Sequence, residues 1–133
     1  MLFEALESSK KGSDWIKNLY EGTLSSYVKC KKGHCSEHME NFMDLSLTIR
    51  NRFENVEYNS MEDSIKGYLK PTKLDSSNLY FCEDCGEKVE IEKGNKFVRL
   101  PPILTFQLGR FELNYETMTR EKINNIFYFP ELL

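Results

Sequence analysis

The sequence has no apolar run longer than a few residues, only two histidines, and four cysteines in 133 residues. The first shortage leaves no candidate membrane helix, which needs about 20 consecutive apolar positions. The opening Met1-Leu2-Phe3-Glu4-Ala5-Leu6-Glu7 has neither the basic region nor the apolar stretch of a secretory signal, so an intracellular protein of the cytoplasm or nucleus is expected, with no membrane partner. Excess charge is also missing. A net charge of -3 with 29% charged residues gives no electrostatic footprint for nucleic acid. No repeat, low-complexity segment or Gly/Ser/Pro-rich linker divides the chain, so one structural unit is expected. The scarcity of histidine bears on catalysis. His34 and His38 both lie beside a cysteine pair, and His34 adjoins Cys35, where neighbouring side chains diverge. No Cys-His dyad results, and no P-loop, dinucleotide fingerprint, H-E-x-x-H or G-x-S-x-G occurs.

What is present suits a small α+β domain: 40% hydrophobic and 13% aromatic residues support a modest core. Leu2, Phe3 and Leu6 recur at helical spacing. Ser13-Asp14 offers an N-cap for a short helix carrying Trp15, Ile16 and Leu19, which Gly22 ends. Thr23 to Cys30, rich in β-branched and aromatic residues, predicts a strand. Met43, Leu45, Leu47 and Ile49 alternate with polar residues and predict another. Ser60 precedes Met61, Ile65, Tyr68 and Leu69, a capped helix that Pro71 closes. Leu79 to Phe81 and Val89 with Ile91 read as strands. Leu104, Phe106 and Leu108 belong to a strand of a larger sheet, Asn114 to Arg120 to a hairpin turn or loop, and Ile123 to Pro130 to a last short strand.

The cysteines form two widely separated pairs, Cys30/Cys35 and Cys82/Cys85. In a reducing compartment such pairs hold metal more often than they form disulfides. Cys82-Glu83-Asp84-Cys85-Gly86 has the C-x-x-C spacing that brings two sulfurs to one Zn²⁺ at about 2.3 Å. Cys30-Lys31-Lys32-Gly33-His34-Cys35 is looser, and His34 is an alternative to Cys35 as the fourth ligand. Four protein ligands leave no open position, so the expected Zn²⁺ is structural. The alternative is a metal-free knuckle whose cysteines serve as small apolar residues. Lys29, Lys31 and Lys32 are read as a solvated tip that offsets thiolate charge, since Glu83, Asp84 and Glu87 cancel the patch.

Several separated segments carry a resemblance in order: Asp14-Trp15-Ile16-Lys17-Asn18-Leu19-Tyr20-Glu21-Gly22-Thr23, Leu74 through Cys85, Leu100-Pro101-Pro102-Ile103-Leu104, and Leu108-Gly109-Arg110-Phe111. Together with Lys122 to Phe129 and Pro130, they resemble the central part of ubiquitin-specific proteases over nearly the whole chain. The resemblance implies antiparallel β-rich fingers and palm strands with zinc-ribbon-like knuckles and a few short helices, part of a papain-like cysteine protease domain. It implies a helical lead-in over 1–22, fingers over 23–100 with an inserted helix at 60–70, and palm strands over 101–133.

The resemblance further implies a ubiquitin-binding section of a thiol-dependent isopeptidase that removes ubiquitin from protein conjugates. Cys30, Cys82 and Cys85 match the family's zinc positions. Gly33 stands where the family usually has cysteine, so Cys35 or His34 must substitute, and Cys30, Cys35, Cys82 and Cys85 are the expected ligand set. Asp75 matches an acidic position that faces the arginine-rich ubiquitin tail; the alternative is a turn aspartate bonding its own backbone. Leu108-Gly109-Arg110-Phe111 lacks the family's lysine at Gly109. The family's asparagine-x-cysteine box and histidine box have no counterpart here, so this chain is expected to be inactive alone. The competing reading is a stand-alone, non-enzymatic ubiquitin-binding or zinc-ribbon adaptor.

Overall fold

A computed structural model describes residues 13–75 and 77–133. The helix expected from Leu2, Phe3 and Leu6 lies outside them. Among the described residues no helix is long and apolar enough to cross a membrane. The described residues form two compact units, one built from those up to Met43 with those of Leu69–Leu104, the other from Asp44–Tyr68 with Thr105–Leu133. All but the last residue of the helix over 61–69 thus groups with the C-terminal strands, and the stretch 23–100 contributes to both units.

The first unit opens with α1 (Ser13–Tyr20). Asp14 sits in its positive first turn and Lys17 in its last, as the helix dipole favours, and Ile16 is completely buried. Strands β1 (Gly22–Cys30) and β2 (Cys35–Phe42) form a hairpin. Strand β1 also pairs antiparallel with β9 (Ile91–Arg99), and β9 with β6 (Thr72–Leu74), giving the order β2-β1-β9-β6. Because β2 is an edge strand with nearly every side chain exposed, it lacks apolar alternation; Glu37, His38 and Glu40 blunt the edge instead. Strand β9 runs unbroken through Gly94, where the Tyr27 ring across the ladder occupies the space a Cβ would need. A separate hairpin of β7 (Tyr80–Cys82) and β8 (Glu87–Val89) follows β6. Cys30, Cys82 and Ile91 form the buried cluster of this unit, with Val28, Leu74, Cys85 and Val89 packed around it.

The second unit contains β3 (Leu45–Thr48), the short hairpin β4 (Arg50–Asn51) and β5 (Val56–Glu57), and α2 (Met61–Leu69). The backbone N–H of Asp63 donates to Ser60 Oγ at 3.3 Å, the cap the sequence predicts. Ser64, almost fully buried, donates its hydroxyl to the carbonyl of Thr48 at 2.7 Å, which explains a polar residue on the inner helix face. Strand β10 (Phe106–Gly109) pairs in parallel with β3. The larger sheet expected here reduces to that pair among the described residues; it and the isolated Ser60–Tyr128 bridge are parallel, whereas the other strand pairs described are antiparallel. Strands β11 (Phe111–Asn114) and β12 (Thr119–Lys122) make the expected hairpin, with Asn114 Oδ1 accepting from the backbone N–H of Glu116 and Thr117. The strand expected within Ile123–Pro130 does not form. Ile123 and Phe127 are anchored by burial against Ile49, Arg110 donates to the carbonyls of Ile123 and Asn125, and only a single bridge links Tyr128 to Ser60.

Glu112, 10% exposed, accepts from Arg50 through both carboxylate oxygens and pairs with Arg52 at 2.9 Å. The Arg50 hydrogen bond holds its carboxyl below the ordinary glutamate range even though burial pushes the other way. A folded-state value below the unfolded one stabilises above the unfolded pKa of about 4.3, and the contribution is lost as pH falls through the depressed value. Urea unfolding of Glu112→Gln should therefore show lower stability than the parent chain at neutral pH and a shallower acid limb; equal midpoints at pH 7 would argue against this role.

Candidate metal centre

Four donors converge where the two hairpin tips of the first unit meet. Cys30 Sγ lies 3.5 Å from His34 Nδ1 and 3.8 Å from Cys85 Sγ. His34 Nδ1 lies 3.1 Å from Cys85 Sγ and 3.8 Å from Cys82 Sγ, and all four donor atoms fall within 4.8 Å of one another. A tetrahedral Zn²⁺ with bonds of about 2.3 Å to sulfur and 2.0 Å to nitrogen requires sulfurs about 3.8 Å apart and sulfur-nitrogen edges of about 3.5 Å. Of these four edges, three lie within about 0.3 Å of that polyhedron and the His34–Cys85 edge is short.

Each tip is shaped by a glycine that reverses the chain. In the first, the N–H of Gly33 donates to the carbonyl of Cys30 at 2.9 Å and the N–H of Cys30 to that of His34 at 2.8 Å, with Gly33 at φ 99°. In the second, the N–H of Gly86 donates to the carbonyl of Cys82 at 2.8 Å, with Gly86 at φ 68°. Nothing crowds a Cβ at Gly33, so Gly33→Ala isolates the backbone effect: a strained left-handed residue costing about 1–3 kcal/mol, seen as a lower melting midpoint of the zinc-loaded chain. An unchanged midpoint would mean the turn adapts freely.

The thiols respond to one another. Burial raises the Cys30 thiol, but N–H donors from the backbone of His34 and Lys32, with side-chain bonds from Cys85 and His34, bring it down to about 7. Cys85 is pushed up to about 12, by burial first and then by hydrogen bonds and charge from Cys82 and Cys30. The pocket accepts one thiolate readily and resists the next, so a cation is what lets the remaining donors ionise together. The short His34–Cys85 contact could pass for a nucleophile and its base, yet a thiol held near 12 is the opposite of an activated one.

Cys30, Cys82 and Cys85 are thus brought together, while Cys35 is exposed and is not among the converging donors; His34 stands in that place. The lysines of the first tip reach across to the second: Lys31 pairs with Glu90 at 3.0 Å and Lys32 with Glu87. Sequence spacing places Glu87 nearby, but neither Glu90 nor these pairings. Asp75 is exposed just after β6, and its backbone carbonyl accepts from the N–H of Asn78 at 2.8 Å. Asp75 also lines a shallow groove with Lys29, Lys31, Lys73, Glu90 and Glu92.

Comparison with known proteins gives a consistent picture. The family model described as "Ubiquitin carboxyl-terminal hydrolase" matches residues 1–133. The whole chain aligns at 40% identity with ubiquitin carboxyl-terminal hydrolase 47 of Xenopus tropicalis and at 37% with that of Homo sapiens. It aligns over 98% of its length at 34% identity with ubiquitin carboxyl-terminal hydrolase 40 of Homo sapiens. In each case it spans about a tenth of the relative's length, 10%. Among solved structures, a chain of the SAGA Ubp8/Sgf11/Sus1/Sgf73 DUB module bound to ubiquitin aldehyde superposes with a TM-score of 0.74 at 23% identity, covering 92% of this chain and 26% of that one. That likeness shows the shared fold.

Proposed function

This chain belongs to the ubiquitin carboxyl-terminal hydrolase family, and we propose that it forms the ubiquitin-holding fingers and adjoining palm strands of a deubiquitinating thiol isopeptidase. The observation that carries this reading is the family match over every residue of the chain, joined to a β-rich fold whose two hairpin tips converge on a metal-type donor set. In the parent enzyme a histidine-activated cysteine would attack the carbonyl at the ubiquitin C-terminus, donors of an oxyanion hole would steady the intermediate, and water would release the acyl enzyme. The residues described here would supply grip and frame. When bound, zinc would supply a cross-link between the two hairpin tips, with Cys30, His34, Cys82 and Cys85 holding it.

Asp75 would contribute to recognition by facing an arginine of the ubiquitin tail. Its exposure after β6 suits such a rim contact, which is worth about 0.2–1 kcal/mol, or roughly a 1.4- to fivefold change in affinity. Titration of isotope-labelled ubiquitin with the full chain should give saturable chemical-shift changes that include the C-terminal tail, and Asp75→Ala should weaken them by that factor. Absence of any shift at millimolar chain would sink the ubiquitin reading; an unaltered affinity in Asp75→Ala would remove only Asp75 from it.

A further inference from the structure

We propose that the first tip has exchanged a cysteine for a histidine as its second ligand, so that one Zn²⁺ is held by the Sγ atoms of Cys30, Cys82 and Cys85 and by His34 Nδ1, with Cys35 left outside. The register of the β1–β2 hairpin makes this assignment. Lys29 and Cys35 face each other in the ladder, and the next pair toward the turn is Cys30 and His34, joined by the 2.8 Å bond from the N–H of Cys30 to the carbonyl of His34. Side chains alternate faces along a strand, so Cys30 and His34 project to one face and Lys29 and Cys35 to the other. Cys30 is buried; His34 and Cys35 are both exposed at the tip, and of these two only His34 is among the converging donors.

Gly33 occupies the apex of the turn at φ 99° and offers the site only backbone. A ligand one residue further along must come from the returning strand, where its Cα is set back from the tip. The longer reach of an imidazole nitrogen, compared with a thiol sulfur, closes that gap and places Nδ1 at 3.1–3.8 Å from all three sulfurs. Replacing a thiolate by a neutral imidazole also changes the formal charge of the loaded site from -2 to -1. The surrounding charges suit the lower value, because Lys31 and Lys32 are already committed to Glu90 and Glu87.

This inference rests on reading the tips as the metal-bearing end of the ubiquitin grip, but its measurement contains no ubiquitin, so the two can fail separately. Zinc K-edge absorption on the zinc-loaded 133-residue chain should report three sulfurs and one nitrogen at one zinc per chain. Cys35→Ala should keep that stoichiometry and spectrum. His34→Ala should lose at least about 100-fold in zinc affinity, the upper end of what removing even an outer partner costs. His34→Cys should bind zinc with four sulfurs, which keeps the proposal testable if His34→Ala fails to fold. Four sulfurs in the parent chain, loss of zinc in Cys35→Ala with retention in His34→Ala, or no zinc in the parent chain would each overturn it.

Discussion

Cys82→Ala should empty the metal site and lower the melting midpoint of the zinc-loaded chain by more than about 10 °C. The estimate combines two losses at one atom. Cys82 is a buried member of the first unit's core, packed with Cys30 and Ile91, so truncation leaves a small void; it is also one of four converging donors, so the remaining three no longer close a tetrahedron. A loss of a few kcal/mol in a unit of this size corresponds to shifts of about 4–8 °C per kcal/mol, and for structural zinc the binding free energy is itself folding free energy. Chelation of the parent chain should reproduce most of the shift, and Cys82→Ala should then be nearly insensitive to the chelator. Equal midpoints for the parent chain with and without chelator would mean that the tips stand without metal.

Ile49→Ala should cost about 2–5 kcal/mol, the usual range for a fully enclosed aliphatic side chain. Ile49 has no exposed surface and packs with Ile123 and Phe127, while Tyr58, Met61 and Leu108 surround them. Every member of that cluster lies in the second unit, and every metal donor in the first. Hydrogen exchange should therefore accelerate throughout β3, β10 and the Ile123 segment while zinc stoichiometry stays at one per chain. Parallel loss of protection and zinc would show that the two units fold as one cooperative block.

Most of the elements were legible because their apolar periods were intact. Leu45, Leu47 and Ile49 alternate because one face of β3 is buried, and Ser60 is a cap because it precedes an apolar stripe. Strand β2 was not legible, because an edge strand exposed along nearly its whole length keeps no apolar face to betray it. The Ile123–Pro130 stretch misled for the opposite reason: its apolar residues are buried as individual anchors, and an arginine takes two of the carbonyls a partner strand would have used. The division into two units was also hidden, since each is assembled from two separate stretches of sequence with no linker between them. At the site, Cys82 and Cys85 were legible from their spacing, whereas the choice between His34 and Cys35 depends on hairpin register. The two-residue alternation was the available signal: counting back across the Gly33 turn from Cys30 arrives at His34, not Cys35.

Under the proposed function, this chain holds ubiquitin while the bond-breaking groups lie elsewhere in the parent enzyme. Ubiquitin carrying a fluorophore at its C-terminus tests both halves in one cuvette with the zinc-loaded chain. A saturable rise in fluorescence anisotropy with no release of free fluorophore is expected. Release of the fluorophore, or anisotropy that stays flat at saturating chain, would contradict it.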